Sequence, residues 1–215
     1  MARRGLAATL PRHWLLVRGT ARNSVCLTFD DGPDPVQTPR VLDALEELGI
    51  PATFFVVGER AERHPALIRR IVDEGHALGH HSFTHSVPHQ TSASRLLAEV
   101  RQTRTLLHNL VGRNPTLFRP PHGKLTARKA LGLWRERQTI VLWNVDPKDF
   151  ACESAEELRT WFRHRPLVGG DIVLLHDNRP HAADALPELV RATRASGLTF
   201  TTPQAWLSPF RPGSR

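Results

Sequence analysis

Tyrosine is absent from this chain of 215 residues, methionine occurs once, and cysteine only at Cys26 and Cys152. Two cysteines do not make a disulfide framework. Cys26 sits inside an apolar run and reads as a small buried residue, and Cys152 as a bystander near polar clusters. Lysine is confined to Lys124, Lys129 and Lys148, so arginine supplies nearly all of the +8 net charge. A basic stripe with interleaved aromatics is missing, as are zinc-finger spacing and a phosphate-cradling glycine loop. Nucleic-acid binding is therefore excluded despite a pI near 11. Scattered surface arginines leave a weak attraction to anionic glycan or lipid surfaces. Long apolar runs are also lacking. Residues 1–23 form a basic extension whose apolar pieces are interrupted by Arg12, His13 and Arg18. Neither a signal-peptide core nor a membrane-spanning segment is evident there, which sets a cytoplasmic location as the expectation.

What is present is ordinary for a globular protein, with 40% hydrophobic and 23% charged residues. The length fits one domain with a substantial core. From Ser24 onward, short apolar runs alternate with amphipathic segments. Strands are expected at 24–29, 52–57, 76–80, 116–119, 138–144, 172–175 and 198–201. Helices are expected between them. One starts at Thr38 as N-cap with Pro39 at the first helical position and stops at Gly49, and another carries a capping box from Ser154 to Glu157. Seven strands alternating with helices predict an α/β protein with a parallel sheet, either a barrel or doubly wound.

The polar clusters follow the strands. Asp30 and Asp31 end an apolar run and meet Gly32-Pro33. A turn there can aim both carboxylates at one cavity, one to ligate a metal and one to serve as a base. Histidines four apart can reach one ion, and an Asp plus two His leaves open the coordination positions a catalytic metal needs. By spacing alone His76/His80 and His85/His89 equal His81/His85. The further clusters are Phe118 to Gly123, Asp146 to Phe150, and Leu174 to Asp177.

All five clusters, in order and each after a strand, resemble the polysaccharide deacetylases, carbohydrate esterase family 4. The resemblance runs from about Ser24 to Leu207, making 24–207 the catalytic domain and 208–215 a C-terminal tail. It implies a distorted (β/α) barrel with about seven parallel strands and hydrolysis of acetyl groups on amino sugars. It implies a metal set of Asp31, His81 and His85, with His76 structural and His80 just behind the ligands. One carboxylate and two imidazoles suit zinc first, and also cobalt, nickel or manganese. Asp30 matches the general base and Arg119 the residue orienting it. His176 matches the general acid, oriented and charged by Asp149. The backbone N–H at His122 would help hold the oxyanion, and Leu174 would line a pocket for the acetyl methyl.

Two positions depart from the family pattern. His122 stands where a tyrosine is usual, and Phe150 where a tryptophan is usual. The first keeps the backbone N–H but loses a phenol, and the second keeps an apolar wall of altered shape. The expected partner is an N-acetylated glycan or amino sugar. A deformylase of a lipid-linked sugar, or a hydrolase of a small cyclic amide, is the alternative. A non-catalytic glycan-binding protein on the same fold would predict a damaged set of polar clusters, and the clusters are intact.

Overall fold

The structure is a computed structural model that describes residues 10–207. The tail at 208–215 and the first nine residues of the basic extension lie outside the described residues.

The elements run in chain order as β1 (Leu15–Leu16), β2 (Ser24–Asp30), α1 (Gln37–Leu48), β3 (Thr53–Val56), α2 (Gly58–Arg63), α3 (Pro65–Asp73), β4 (Ala77–His80), α4 (Ala93–Val111), β5 (Leu117–Phe118), α5 (Ala127–Arg135), β6 (Thr139–Val141), α6 (Ala155–His164), β7 (Ile172–His176), α7 (His181–Ala195), β8 (Thr199–Phe200) and α8 (Pro203–Leu207). Neighbouring strands are parallel in the order β1-β6-β5-β4-β3-β2-β7, and β8 pairs with the start of β2. The sheet curls until Val145, just past β6, bridges to Val173 of β7. This is the distorted barrel of seven parallel strands that the sequence predicts.

Strand periodicity explains the packing. Val25, Leu27 and Phe29 of β2, with Phe54 and Val56 of β3, join an apolar layer shared with α1, α3, α6 and α7. Phe118 and Ile140 pack under α4 and α5 with Leu96, Val100 and Leu133. The alternate residues form a separate small cluster of Leu16, Cys26, Phe55, Leu117, Val141 and Ile172, which fills the barrel interior. Thr28 and Asp30 continue the inward-facing row of Cys26 on β2, so the C-terminal rim of the interior is polar. No helix among the described residues is long and apolar enough to cross a membrane.

Three local readings change. Residues 10–23 are not merely an extension before the domain: Leu15–Leu16 adds a strand beside β6. Two residues are too few for a periodic signal, and only the exposed edge of β6 makes them a strand. Helix α1 starts at Gln37, one residue before Thr38. Asp34 Oδ1 accepts from the Val36 and Gln37 N–H groups, and Thr38 instead donates its hydroxyl to Asp177 Oδ2 at 2.6 Å. Helix α2 carries no apolar stripe of its own beyond Ala61 and was not expected from the pattern.

Leu16 is 1% exposed inside the barrel. Leu16→Ala should therefore cost about 2–5 kcal/mol in urea unfolding, as for other fully buried leucines. A cost near zero would make residues 10–23 a loose extension after all.

Candidate active site

Both adjacent carboxylates reach the rim because the backbone turns between them. Asp30 ends β2, and Asp31 takes a left-handed φ of 73°, a conformation Asp tolerates. Gly32 has no alternative, since a Cβ there would overlap the Asp177 carboxylate. The Asp31 carbonyl accepts from Arg60 at 2.6 Å, and the Gly32 carbonyl from the Val57 N–H at 2.9 Å.

The two histidines lie on a loop, not a helix. His81 follows β4, and Ser82 and His85 have φ of 65° and 54°. His81 Nδ1 donates to the Arg119 carbonyl at 2.6 Å, which leaves the Nε2 lone pair free. His81 Nε2 and His85 Nε2 lie 3.7 and 3.2 Å from Asp31 Oδ1. Two ligands about 2.1 Å from one tetrahedral ion stand roughly 3.4 Å apart, so the spacing fits a shared divalent ion. Asp31, His81 and His85 are the one such group of ligand atoms found among the described residues. Burial pushes both imidazole pKa values down against the opposing pull of Asp31, which favours the neutral, ligating form. Burial pushes the Asp31 carboxyl up, but His81, His85, His176 and Arg60 outweigh it and hold it below the usual range.

Asp30 is held differently. Its Oδ1 accepts from the Arg119 guanidinium at 2.7 Å, and its Oδ2 faces His81 Nε2 at 3.7 Å. Arg119 is fully buried across the barrel interior. It also donates to Thr28 Oγ1, to the Val141 carbonyl and to the Leu142 carbonyl, and it lies 4.2 Å over the Phe55 ring. One Asp30 oxygen is thus fixed and the other is left facing the ligand set, as a proton acceptor requires.

Opposite, His176 at the end of β7 meets Asp149 twice: Nδ1 to Oδ1 and backbone N–H to Oδ2, each at 2.7 Å. Burial lowers the His176 pKa, but the Asp149 hydrogen bond and charge, with Asp30 and Asp31, lift it to about 8. Phe150 packs edge-on against the His176 ring at 5.5 Å and is 48% exposed. Leu174 is buried on the inward-facing row of β7 and pairs with Thr28. His122 has φ 55°, and its ring lies tilted beside that of His85 with centroids 5.1 Å apart. Asp146 shapes its own loop by accepting from the Lys148 N–H.

The competing histidine pairs do not assemble. His76 Nδ1 accepts from the Ala52 N–H, and His80 points away from the rim to Gln138 Oε1 at 2.8 Å. His80 is therefore a packing residue, and burial pushes its pKa to about 4. His89 lies on the exposed loop beyond. Sequence reading missed Arg60 and Glu99, whose local pattern matches ordinary helix residues, and the contacts that join Thr28 to Arg119 and Thr38 to Asp177.

A curled parallel barrel with an ion-ready Asp-His-His set and a tethered free carboxylate at its C-terminal rim defines a hydrolase class. The chain belongs to the polysaccharide deacetylase family, whose profile matches residues 18–134. A peptidoglycan-N-acetylglucosamine deacetylase of Bacillus cereus is 34% identical over 83% of this chain and 85% of its own. A chitooligosaccharide deacetylase of Sinorhizobium fredii is 37% identical over 80% and 78%. The chain spans 66% of the length of a further Bacillus cereus protein named as a peptidoglycan-N-acetylglucosamine deacetylase. The crystal structure of the Bc1960 peptidoglycan N-acetylglucosamine deacetylase superposes with a TM-score of 0.86 at 29% identity, covering 90% of this chain and 92% of the other.

The His176–Asp149 pair generates a pH prediction. A raised histidine pKa stabilises the fold fully below the ordinary 6.5, and that contribution is lost as pH rises through about 8. In the ion-free protein, NMR titration of the His176 ring should show a midpoint near 8. In Asp149→Asn the midpoint should fall toward or below 6.5. An unchanged midpoint in the variant would remove Asp149 as the cause.

Proposed function

We propose that the chain is a metal-dependent deacetylase of N-acetylated amino sugars, with Asp31, His81 and His85 as the ion ligands. The observation that carries this reading is the division of labour between adjacent carboxylates: Asp31 sits with two imidazoles, and Asp30 is tied to Arg119 with one oxygen free. When bound, a divalent ion supplies Lewis-acid polarisation of the acetyl carbonyl and lowers the pKa of a water to near neutrality. Asp30 Oδ2 takes the proton of the attacking water. His176, kept protonated by Asp149, gives a proton to the departing amine, so the products are acetate and a free amino sugar. Arg119 holds Asp30 in place. The backbone N–H of His122 stabilises the oxyanion, Leu174 receives the acetyl methyl, and Phe150 walls the sugar side.

Zinc is the first expected ion, with cobalt, nickel and manganese suited to the same set. The family relatives' names support peptidoglycan or chito-oligosaccharide as the glycan class. A soluble or lipid-linked sugar goes with a cytoplasmic enzyme, and a wall-polymer substrate goes with export. Cell fractionation separates the two.

Chelation should abolish deacetylation of N-acetylglucosamine oligomers, and zinc or cobalt should restore it. Asp30→Asn and His176→Ala should each cost about 10²–10⁴-fold in kcat with the ion still bound. If Asp30→Asn empties the site, the assignment of the two aspartates is reversed. Formylated sugars and small cyclic amides, run beside acetylated sugars, should turn over poorly; preferred turnover of either would install the alternative hydrolase.

His122→Ala and His122→Tyr both keep the backbone N–H. Both should therefore retain the oxyanion contribution of about 3–4 kcal/mol and change KM more than kcat. Steady-state kinetics on a monosaccharide and on a longer oligomer check this. A collapse of kcat in both, with the ion bound, would put the imidazole in the chemistry.

A further inference from the structure

Within the His81–His85 segment the His85 N–H donates to Ser82 Oγ at 3.1 Å. Further backbone groups of the segment are satisfied from outside it. The Ser82 and Phe83 carbonyls accept from the Gly58 and Glu59 N–H groups at the start of α2, at 3.0 and 2.9 Å. The Phe83 and Thr84 N–H groups point the other way, to Glu99 Oε2 on α4, at 3.3 and 3.2 Å. The Thr84 hydroxyl donates to Glu99 Oε1 at 3.1 Å. Glu99 is 2% exposed, in a helix whose other buried residues are Leu96, Val100, Thr103 and Leu107. Buried carboxylates are rare unless paired. Arg95 donates to Glu99 at 2.9 Å, but its side chain is 64% exposed, so the ion pair alone gives no reason to bury the acid. The three donors from positions 83 and 84 do. Those positions lie between His81 and His85. Further along, Lys129, 5% exposed, donates to the Pro88 carbonyl at 2.5 Å and fixes the loop's exit.

We propose that Glu99 is a positioning residue for the ion site: its carboxylate gathers the Phe83 and Thr84 donors and so sets the separation and aim of His81 and His85. This rests on the reading of Asp31, His81 and His85 as ligands. Residues that orient metal ligands typically change metal affinity 10–100-fold when altered. Backbone donors that lose a buried acceptor must find another partner, and here that requires the loop to move. In Glu99→Gln the side chain keeps its length, but one oxygen becomes an NH2 group that faces loop donors or Arg95.

The test measures zinc affinity by competition with a chromophoric chelator, and the ligand geometry by the visible spectrum of the cobalt-loaded protein. The parent and His85→Ala come first. Equal zinc binding in these two would overturn the ligand reading itself, whatever Glu99 does. With the parent binding one ion, Glu99→Gln should bind zinc about 10–100-fold more weakly and shift the cobalt spectrum. Leu107→Ala, a fully buried change in the same helix, serves as the stability control. It should lower Tm and leave zinc affinity within about threefold, since it adds no change near the ligands. Parental zinc affinity in Glu99→Gln overturns the proposal. So does an equal loss in Leu107→Ala, which would trace the effect to general stability. Should Glu99→Gln fail to fold, Thr84→Val decides: loss of its single hydroxyl bond should weaken zinc about fivefold, and parental affinity overturns the proposal.

Discussion

The ion pair between Arg119 and Asp30 is the constraint on which the site depends. A guanidinium with no exposure sits across the barrel interior, and each of its nitrogens has an acceptor. Burying such a charge is costly, and removing one member of a buried pair typically costs about 3–5 kcal/mol because the other is stranded. The barrel meets that cost with Asp30, Thr28 and the carbonyls of Val141 and Leu142 at the end of β6. The same arrangement orders the rim of the barrel. It fixes one carboxylate oxygen, leaves the other free, and supplies the carbonyl that sets the His81 tautomer. Sheet register, the aim of Asp30 and the aim of His81 therefore meet at one residue.

Around this pair the strand ends act as fixed posts and the loops as adjustable arms. Asp30 and His176 belong to strands β2 and β7, directly paired in register. Asp31, His81 and His85 all lie just past strand ends, and Asp31 and His85 take left-handed backbone conformations. Such conformations are uncommon outside glycine and persist only where the surroundings over-determine them. Here the surroundings are named: Arg60 and Val57 on the aspartate turn, and Gly58, Glu59 and Glu99 on the histidine loop. Helices α2 and α4 thus have a role beyond covering the sheet.

The departures at His122 and Phe150 fall on the open side of the site. His122 lies tilted beside His85, and Phe150 stands edge-on to His176. Neither interrupts the Arg119–Asp30 pair or the Asp149–His176 pair. Both positions that vary from the family pattern are exposed, and the Arg119–Asp30 and Asp149–His176 pairs are intact.

The sequence by itself determined the alternation of strands and helices, because strand runs such as 24–29 and 52–57 are continuous and apolar and the helices carry clear stripes. It also determined the five polar clusters, since each is contiguous and sits beside a strand end. It did not decide which histidine pair shares an ion. His76/His80 and His81/His85 have identical spacing, and only the pleat separates them: His80 ends β4 facing Gln138 under the helix layer, and His81 lies one residue further on, turned to the rim. Nor did it reveal Leu15–Leu16 as a strand, which needs the edge of β6, or Thr38 as the partner of Asp177 rather than a helix cap. Glu99 was invisible for the same reason. A glutamate in an amphipathic helix reads as solvent-facing, and its burial against Phe83 and Thr84 exists only because tertiary packing brings α4 beneath the histidine loop. Local chemistry is written in adjacent residues; which polar atoms meet across the barrel depends on contacts between segments far apart in the chain.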